Sequence, residues 1–380
     1  MKKICYITGT RAEFGLIKST LKLASAHPEL DISVCIMGMH ILPEIGLLGE
    51  TSKEIEESGL KIAGKIESPS LALRSGVGMV QAFAAQTLGL VSIFEKEKFD
   101  FVMVLGDRAE MLAGALTAAH LKIPVIHIHG GERSGTIDES VRHAISKIAH
   151  YHFVATDSAR QRLIKMGEKE DNVFVTGAPG LDEIKTVPLI SPQDLFMEVG
   201  FTPTKKTALV IYHPVLQEEL DADEQMSSLI EAIKSLDLQA VFLNPNTDAG
   251  SLGILRALAK AKQEPHFRFF EHLERRQYLS WLAACDVMVG NSSSGIIEAA
   301  SLNIPVVDIG SRQRSREASE NVIRKSNTVE EIKDGISQSL DIKKRTFLNI
   351  YGDGTAGKKI VERLVDLRPD PQVLNKLNTY

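Results

Sequence analysis

Residues 99–143 read FDFVMVLGDRAEMLAGALTAAHLKIPVIHIHGGERSGTIDESVRH. Two apolar runs, 99–105 and 123–129, flank a helix-like segment at 108–121. Each run passes straight into polar residues: Gly106, Asp107 and Arg108 after the first, then Gly130, Gly131, Glu132, Arg133 and Asp138 after the second. Spacing this tight predicts a parallel strand pair joined by a crossover helix. Both polar clusters then fall on the carboxyl edge of one sheet, where open α/β sheets place their ligands. The stretch reads as an active-site rim.

The rest of the chain repeats that alternation. A strand at 2–8 ends in Gly9, and Thr10 to Glu13 fits a capping box, with Thr10 as N-cap and Glu13 reaching back, opening a helix that runs to about residue 26. A strand is expected at 31–38, helices at 52–59 and 73–97, then a helix at 139–149, a strand at 152–156, a helix at 158–166 and a strand at 173–177. Residues 185–206 are richer in Pro, Thr and Lys, with one short helix at 192–199, and mark a linker. A second alternation follows: strands at 207–212, 239–243, 267–270, 286–290 and 306–309, and helices at 218–236, 251–263, 275–284, 295–301 and 329–340. A last helix is expected from residue 355. The fold class is therefore α/β, with two doubly wound domains facing across a cleft, at about 1–180 and 185–350.

At 380 residues the chain is long enough for two full cores, and its 43% hydrophobic and 24% charged content is that of an ordinary water-soluble protein. A net charge of −5 gives no reason to expect nucleic acid or an anionic membrane as partner. The apolar run near the N-terminus is short for a secretory signal, and no run approaches the roughly 20 residues of a membrane span. Three scattered cysteines speak against a disulfide framework or a zinc site and fit a reducing cytoplasm.

Several side chains invite chemistry. Arg11 places a cation in a first helical turn, against the helix dipole, so it reads either as a ligand for an anion or as a solvated arginine. Asn291-Ser-Ser-Ser-Gly295 lies between a strand and a helix, where backbone N–H groups and the hydroxyls of Ser292, Ser293 and Ser294 can cradle a phosphate. Glu298, one turn on, can accept from a ribose diol or simply complement the dipole. Arg312, Arg314 and Arg316 form a cationic cluster suited to a diphosphate. His213, at a strand end, reads as a phosphate donor, a proton carrier or a packed core residue. Asp107 and Asp138 are either acid–base carboxylates or N-caps. His127 and His129 form an HxH with both rings on one strand face, but no further ligands stand at metal spacing, and no metal or cofactor is expected.

Taken together, TGTRAEFG (8–15), MGMH (37–40), VLGDR (104–108), HIHGGERSGTIDESVRHAISK (127–147), GNSSSGIIE (290–298), IGSRQ (309–313) and YGDGTA (351–356) resemble, in order, the hydrolysing UDP-N-acetylglucosamine 2-epimerases. The similarity is to the branch that makes precursors of sialic, legionaminic and related nonulosonic acids. It implies two Rossmann-like domains of the GT-B type, with the final helix packing back on the first. It implies a UDP-sugar substrate, either UDP-N-acetylglucosamine or, as HIHGGERSGTIDE resembles members acting on it, UDP-N,N'-diacetylbacillosamine, with loss of the carbon-2 proton as UDP departs and hydration of the resulting glycal. Asp107 and Asp138 would be the acid–base carboxylates. Arg11, His213, Ser292, Ser293 and Arg312 would hold the diphosphate, within a loop that includes Ser294 and Gly295, and Glu298 would hold the ribose. Arg108 would orient the sugar or a carboxylate, and His40 would line the substrate site. Many relatives carry a glutamate where this chain has His129, so either His129 or Glu132 would fill that place. Leu16 stands where non-hydrolysing relatives carry lysine, which points to hydrolysis. The resemblance also implies a homodimer or homotetramer. A glycosyltransferase of the same architecture and a non-catalytic nucleotide-sugar sensor are the competing readings.

Overall fold

Runs of Val, Ile and Phe closed by glycine or polar turns become strands, and the amphipathic stretches between them become helices. The computed structural model describes residues 1–41, 51–67, 75–246, 248–342 and 345–379. The chain forms two compact units: Met1–Glu132, Ile137–Glu183 and Tyr351–Tyr380 make the first, and Arg133–Thr136 with Ile184–Ile350 the second.

The first unit holds β1 (Lys2–Thr8), α1 (Arg11–Ser25), β2 (Leu30–Ile36), α2 (Thr51–Glu57), β3 (Lys61–Lys65), α3 (Gly76–Glu97), β4 (Phe101–Leu105), α4 (Ala109–His120), β5 (Val125–Ile128), α5 (Ile137–Ile148), β6 (Tyr151–Val154), α6 (Asp157–Lys165) and β7 (Val173–Val175). The second holds α7 (Pro192–Val199), β8 (Thr207–Ile211), α8 (Ala222–Ser235), β9 (Gln239–Leu243), α9 (Ser251–Ala261), β10 (Phe267–Phe270), α10 (Arg275–Ala284), β11 (Val287–Gly290), α11 (Ser293–Ile297), β12 (Val306–Ile309), β13 (Val322–Lys325) and α12 (Val329–Ile342). The chain then returns to the first unit as α13 (Ala356–Asp366).

Both sheets are parallel throughout. Among the described residues, the first has seven strands in the order β3-β2-β1-β4-β5-β6-β7, the second six in the order β10-β9-β8-β11-β12-β13. Strand order reverses between β1 and β4 in one sheet and between β8 and β11 in the other. At such a switch point the loops leaving the two strands diverge to opposite faces and open a crevice beyond their carboxyl ends.

Each sheet is covered on both sides. In the first unit, Ile17 and Leu21 of α1 and Ile360 and Leu364 of α13 pack with Ile4, Tyr6 and Phe101 on one face. Cys5, Ile7 and Val104 face Leu90, Phe94 and Met111 on the other. The second unit repeats the plan, with α8 and α9 on one side and Trp281 of α10 with Phe196 of α7 on the other.

Several expectations need revision. β3 and β13 were not anticipated; both are outermost strands, half-buried, with lysines at their ends, so neither shows a continuous apolar run. The helix expected at 218–236 opens with a separate 3-10 turn, Leu216–Asp221, kinked at Glu218. The helix expected at 295–301 is the five-residue α11 followed by a second 3-10 turn, Ala299–Leu302. Residue 73, the expected start of α3, lies outside the described residues. By length and composition α3 qualifies as a membrane-crossing helix, contrary to the expectation that no run comes near that length. Its buried stripe of Gly78, Ala82, Gln86, Leu90 and Phe94 packs within the first unit.

Candidate active site

In the first unit, the turn after β1 is built around two buried carboxyls. Thr10 caps α1, its hydroxyl accepting the Glu13 N–H at 3.3 Å. The Glu13 carboxylate reaches one residue further back than a capping box requires: it accepts the Gly9 N–H at 3.0 Å and also the Tyr6 hydroxyl. Burial raises its pKa to about 8, and the neighbouring Glu110 adds to the rise, against the pull of backbone N–H donors and Arg108. Glu110 occupies the space that a side chain at Gly9 would need, since a Cβ there would lie 2.7 Å from its Cγ. Gly38, with φ of +63°, meets the same carboxyl. Three sequence motifs thus converge on Glu110. Arg108 Nε pairs with Glu110 at 3.2 Å.

Arg11 is not a solvated arginine. Its Nε donates to Glu54 of α2 at 2.8 Å, and Lys18 shares that carboxylate at 3.0 Å. Burial works to raise the Glu54 pKa, but the bonds and charges of Lys18 and Arg11 outweigh it and hold the carboxyl below its ordinary value. His40, expected against substrate, is buried under the turn, with Nε2 3.0 Å from the Thr8 hydroxyl and its ring edge-on to Phe14.

Asp107 follows β4, the other strand of the switch point. Neither aspartate is an N-cap: Arg108 occupies that position on α4, and Asp138 stands inside the first turn of α5. The Asp107 carboxylate is paired with Arg142 of α5, whose side chain is only 1% exposed. Arg142 also donates from Nη1 to the Glu132 carbonyl at 3.1 Å, so one guanidinium fixes both polar clusters of the rim.

The HxH is split by the backbone. β5 ends at Ile128, and His129 has φ of +61°, so the two rings do not share a strand face as expected. His127 is fully buried, with Nε2 donating to the Gly106 carbonyl at 2.7 Å and Nδ1 3.1 Å from the Ser146 hydroxyl; burial lowers its pKa to about 3. His129 Nδ1 is bonded to the Glu132 carboxylate. A left-handed L-residue costs on the order of 1–3 kcal/mol, and such conformations gather at functional sites.

In the second unit, His213 follows β8 and Asn291 follows β11, the two strands of that sheet's switch point. They clasp each other: the His213 N–H donates to Asn291 Oδ1 at 2.7 Å, and Asn291 Nδ2 returns to the His213 carbonyl at 2.8 Å. His213 Nδ1 accepts the Asn246 N–H at 3.2 Å, so the neutral ring carries its proton on Nε2 and presents a donor. Ser292 caps α11 and meets the Ser294 hydroxyl at 2.9 Å; Ser292, Ser293 and Ser294 are partly exposed and Gly295 is buried. Arg312 Nη1 donates to the Asn291 carbonyl at 3.1 Å. Arg314 is exposed and Arg316 is buried. Glu298 is 1% exposed, and Arg275 Nη1 lies 3.0 Å from each of its oxygens.

A family model described as UDP-N-acetylglucosamine 2-epimerase matches residues 22–365. The chain belongs to the UDP-N-acetylglucosamine 2-epimerase family. It is 46% identical, over all of both chains, to the UDP-N,N'-diacetylbacillosamine 2-epimerase (hydrolyzing) of Legionella pneumophila. It is 32% identical to the UDP-N-acetylglucosamine 2-epimerase of Neisseria meningitidis, over 99% of this chain and 97% of that one. Among solved structures, the S. aureus MnaA–UDP co-structure matches with a TM-score of 0.78 at 20% identity, over 96% of each chain. The N. meningitidis UDP-GlcNAc 2-epimerase bound to UDP-GlcNAc matches with a TM-score of 0.78 at 20% identity, over 96% of this chain and 100% of that one. These structural likenesses establish the two-domain, GT-B-like α/β fold.

Sequence reasoning passed over four side chains of this epimerase-family chain: Glu13's buried role, Glu110, Arg142 and Arg275. Arg142 had a signal. It stands four residues after Asp138 on one helix, a spacing that brings two side chains to the same face. Glu13 had one in the capping box, its partners lying three to seven residues back. Glu110 and Arg275 had none, because Glu110 meets Gly9 and Gly38 and Arg275 meets Glu298 across elements distant in sequence.

Proposed function

We propose that the chain is a hydrolysing 2-epimerase that converts UDP-N,N'-diacetylbacillosamine to the free 2-epimer and UDP, with UDP-N-acetylglucosamine as the second candidate substrate. The observation that carries this reading is the 46% identity over full length to the Legionella enzyme of that name.

The chemistry asks for a base at carbon-2 and cations for the departing diphosphate. Asp107 and Asp138 are the acid–base carboxylates of this reading. One takes the carbon-2 proton, the C–H electron pair becomes the double bond to carbon-1, and the bond from carbon-1 to oxygen breaks towards UDP. Water oxygen then bonds to carbon-1, and a proton returns to carbon-2 from the opposite face. Arg11, His213, Ser292, Ser293 and Arg312 hold the diphosphate beside Ser294 and Gly295, Glu298 holds the ribose, and Arg108 orients the sugar. The placement of Arg11, Asp107, His213 and Ser292 just beyond strands that border a switch point supports these roles. The reaction uses no metal. The same reading puts the enzyme in the cytoplasm, as a homodimer or homotetramer, supplying a precursor of nonulosonic acids.

Turnover of the two UDP-sugars in heavy water tests it. The expected result is faster release of UDP from the diacetylbacillosamine substrate, with one deuterium at carbon-2 of the free sugar, unchanged by chelators. Unlabelled product, or UDP release only when an acceptor is added, overturns it.

A further inference from the structure

We propose that His129, backed by the Glu132 carboxylate, is a catalytic acid in the second half of this reaction, delivering through Nε2 the proton that carbon-2 receives. The inference rests on the epimerase reading above and goes beyond it by naming the donor. The geometry of the first unit carries it.

β5 delivers His129 to the same sheet edge that β4 delivers Asp107; the two strands are paired at Leu105 and Ile128, and the Gly106 N–H donates to the Ile128 carbonyl at 2.9 Å. The backbone holds His129 left-handed, which turns its ring off the strand direction. Its Nδ1 is bonded to Glu132. A carboxylate accepts, so Nδ1 carries the proton in the neutral ring and Nε2 carries the lone pair. Nε2 has no hydrogen-bond partner among the described residues, and it is not among the buried polar atoms that lack one. The side chain keeps 8% of its surface open. Glu132 is itself fixed, because Arg142 grips its carbonyl and pairs with Asp107. A continuous chain of Asp107, Arg142, Glu132 and His129 therefore ends on a nitrogen that can gain and lose a proton. Among the described residues, the charged and titratable groups on this turn include Glu132, Arg142 on the Glu132 carbonyl, Arg162 on the Gly131 carbonyl, and buried His127.

The step balances. Nε2–H of the imidazolium passes its proton to carbon-2 of the glycal, the electron pair of the double bond forms the new C–H bond, and water oxygen bonds to carbon-1. The water's second proton leaves to a carboxylate or to solvent, and solvent reprotonates the ring.

His129→Gln and Glu132→Gln test the proposal, with wild type as control for the reading itself. If wild-type enzyme releases no free sugar from either UDP-sugar, the epimerase reading fails. Given wild-type turnover, His129→Gln is expected to lower kcat about 100-fold or more, to lose a limb of the pH profile, and to accumulate glycal with UDP still released. Glu132→Gln is expected to keep the limb but move it to lower pH. UDP affinity and the circular dichroism spectrum should stay as in wild type for both. Turnover within threefold of wild type with an unchanged pH profile overturns the proposal. So does a His129→Gln enzyme that forms neither glycal nor product, which would place the ring in the first half.

Discussion

Glu13 belongs to α1, yet its carboxyl serves the turn that precedes the helix. Its pKa near 8 follows from burial beside Glu110. A carboxyl raised in the fold from an ordinary value near 4.5 holds a proton that the unfolded chain has released, so stability falls as pH rises from about 4.5 to 8. Glu13→Gln, which has no charge to bury, is expected to flatten that fall. Urea titrations at pH 5.5 and 8 check it, and equal slopes for both proteins would show that Glu13 is ionised throughout. Glu298 poses the complementary case, a buried carboxylate matched by Arg275 on both oxygens. Each oxygen retains a second lone pair, which is what a ribose hydroxyl needs. Glu298→Gln should weaken UDP binding by about 1–3 kcal/mol, read by calorimetry. Unchanged affinity would remove the ribose from this residue.

Among the elements, α13 shows how a helix distant in sequence is held. Asp182 accepts the Ala356 N–H at 2.9 Å and the Gly357 N–H at 2.5 Å, satisfying two of the unpaired donors at its N-terminus. The apolar stripe of α13 then buries Ile360, Val361 and Leu364 in the core that also holds Phe14 and Ile17. Asp182→Ala leaves those donors buried and unmatched and is expected to lower stability by about 1–2 kcal/mol. A thermal melt that moves by less than a degree would show that α13 docks without its cap. The existence of α13 was legible from YGDGTA and the helical run behind it. Its capping residue was not, because Asp182 lies 174 positions away from Ala356.

For the molecule as a whole, buried histidines shape the response to acid. Burial lowers His127 to about 3 and, chiefly for the same reason, His150 to about 4. An unfolded histidine takes its proton near 6.5, so the folded state loses stability as pH falls from about 6.5 towards 3, by up to about 1.4 kcal/mol per pH unit for each ring. Denaturation midpoints between pH 7 and 4 should show it, and His150→Asn should reduce the slope. Alternation of apolar runs with amphipathic stretches was enough to specify two parallel α/β units and to put Asp107, His129, His213 and Ser292 near strand ends. That much is local, because strand and helix periods are written in neighbouring residues. Strand order is not local. Only the folded chain places β1 beside β4 and β8 beside β11, and so brings Gly9 against Glu110 and the backbone of His213 into the clasp of Asn291. The same holds for the Arg142–Asp107 pair and for the left-handed turn that separates His129 from His127. Each depends on which surfaces meet once the core has closed, and a linear pattern carries no record of that meeting.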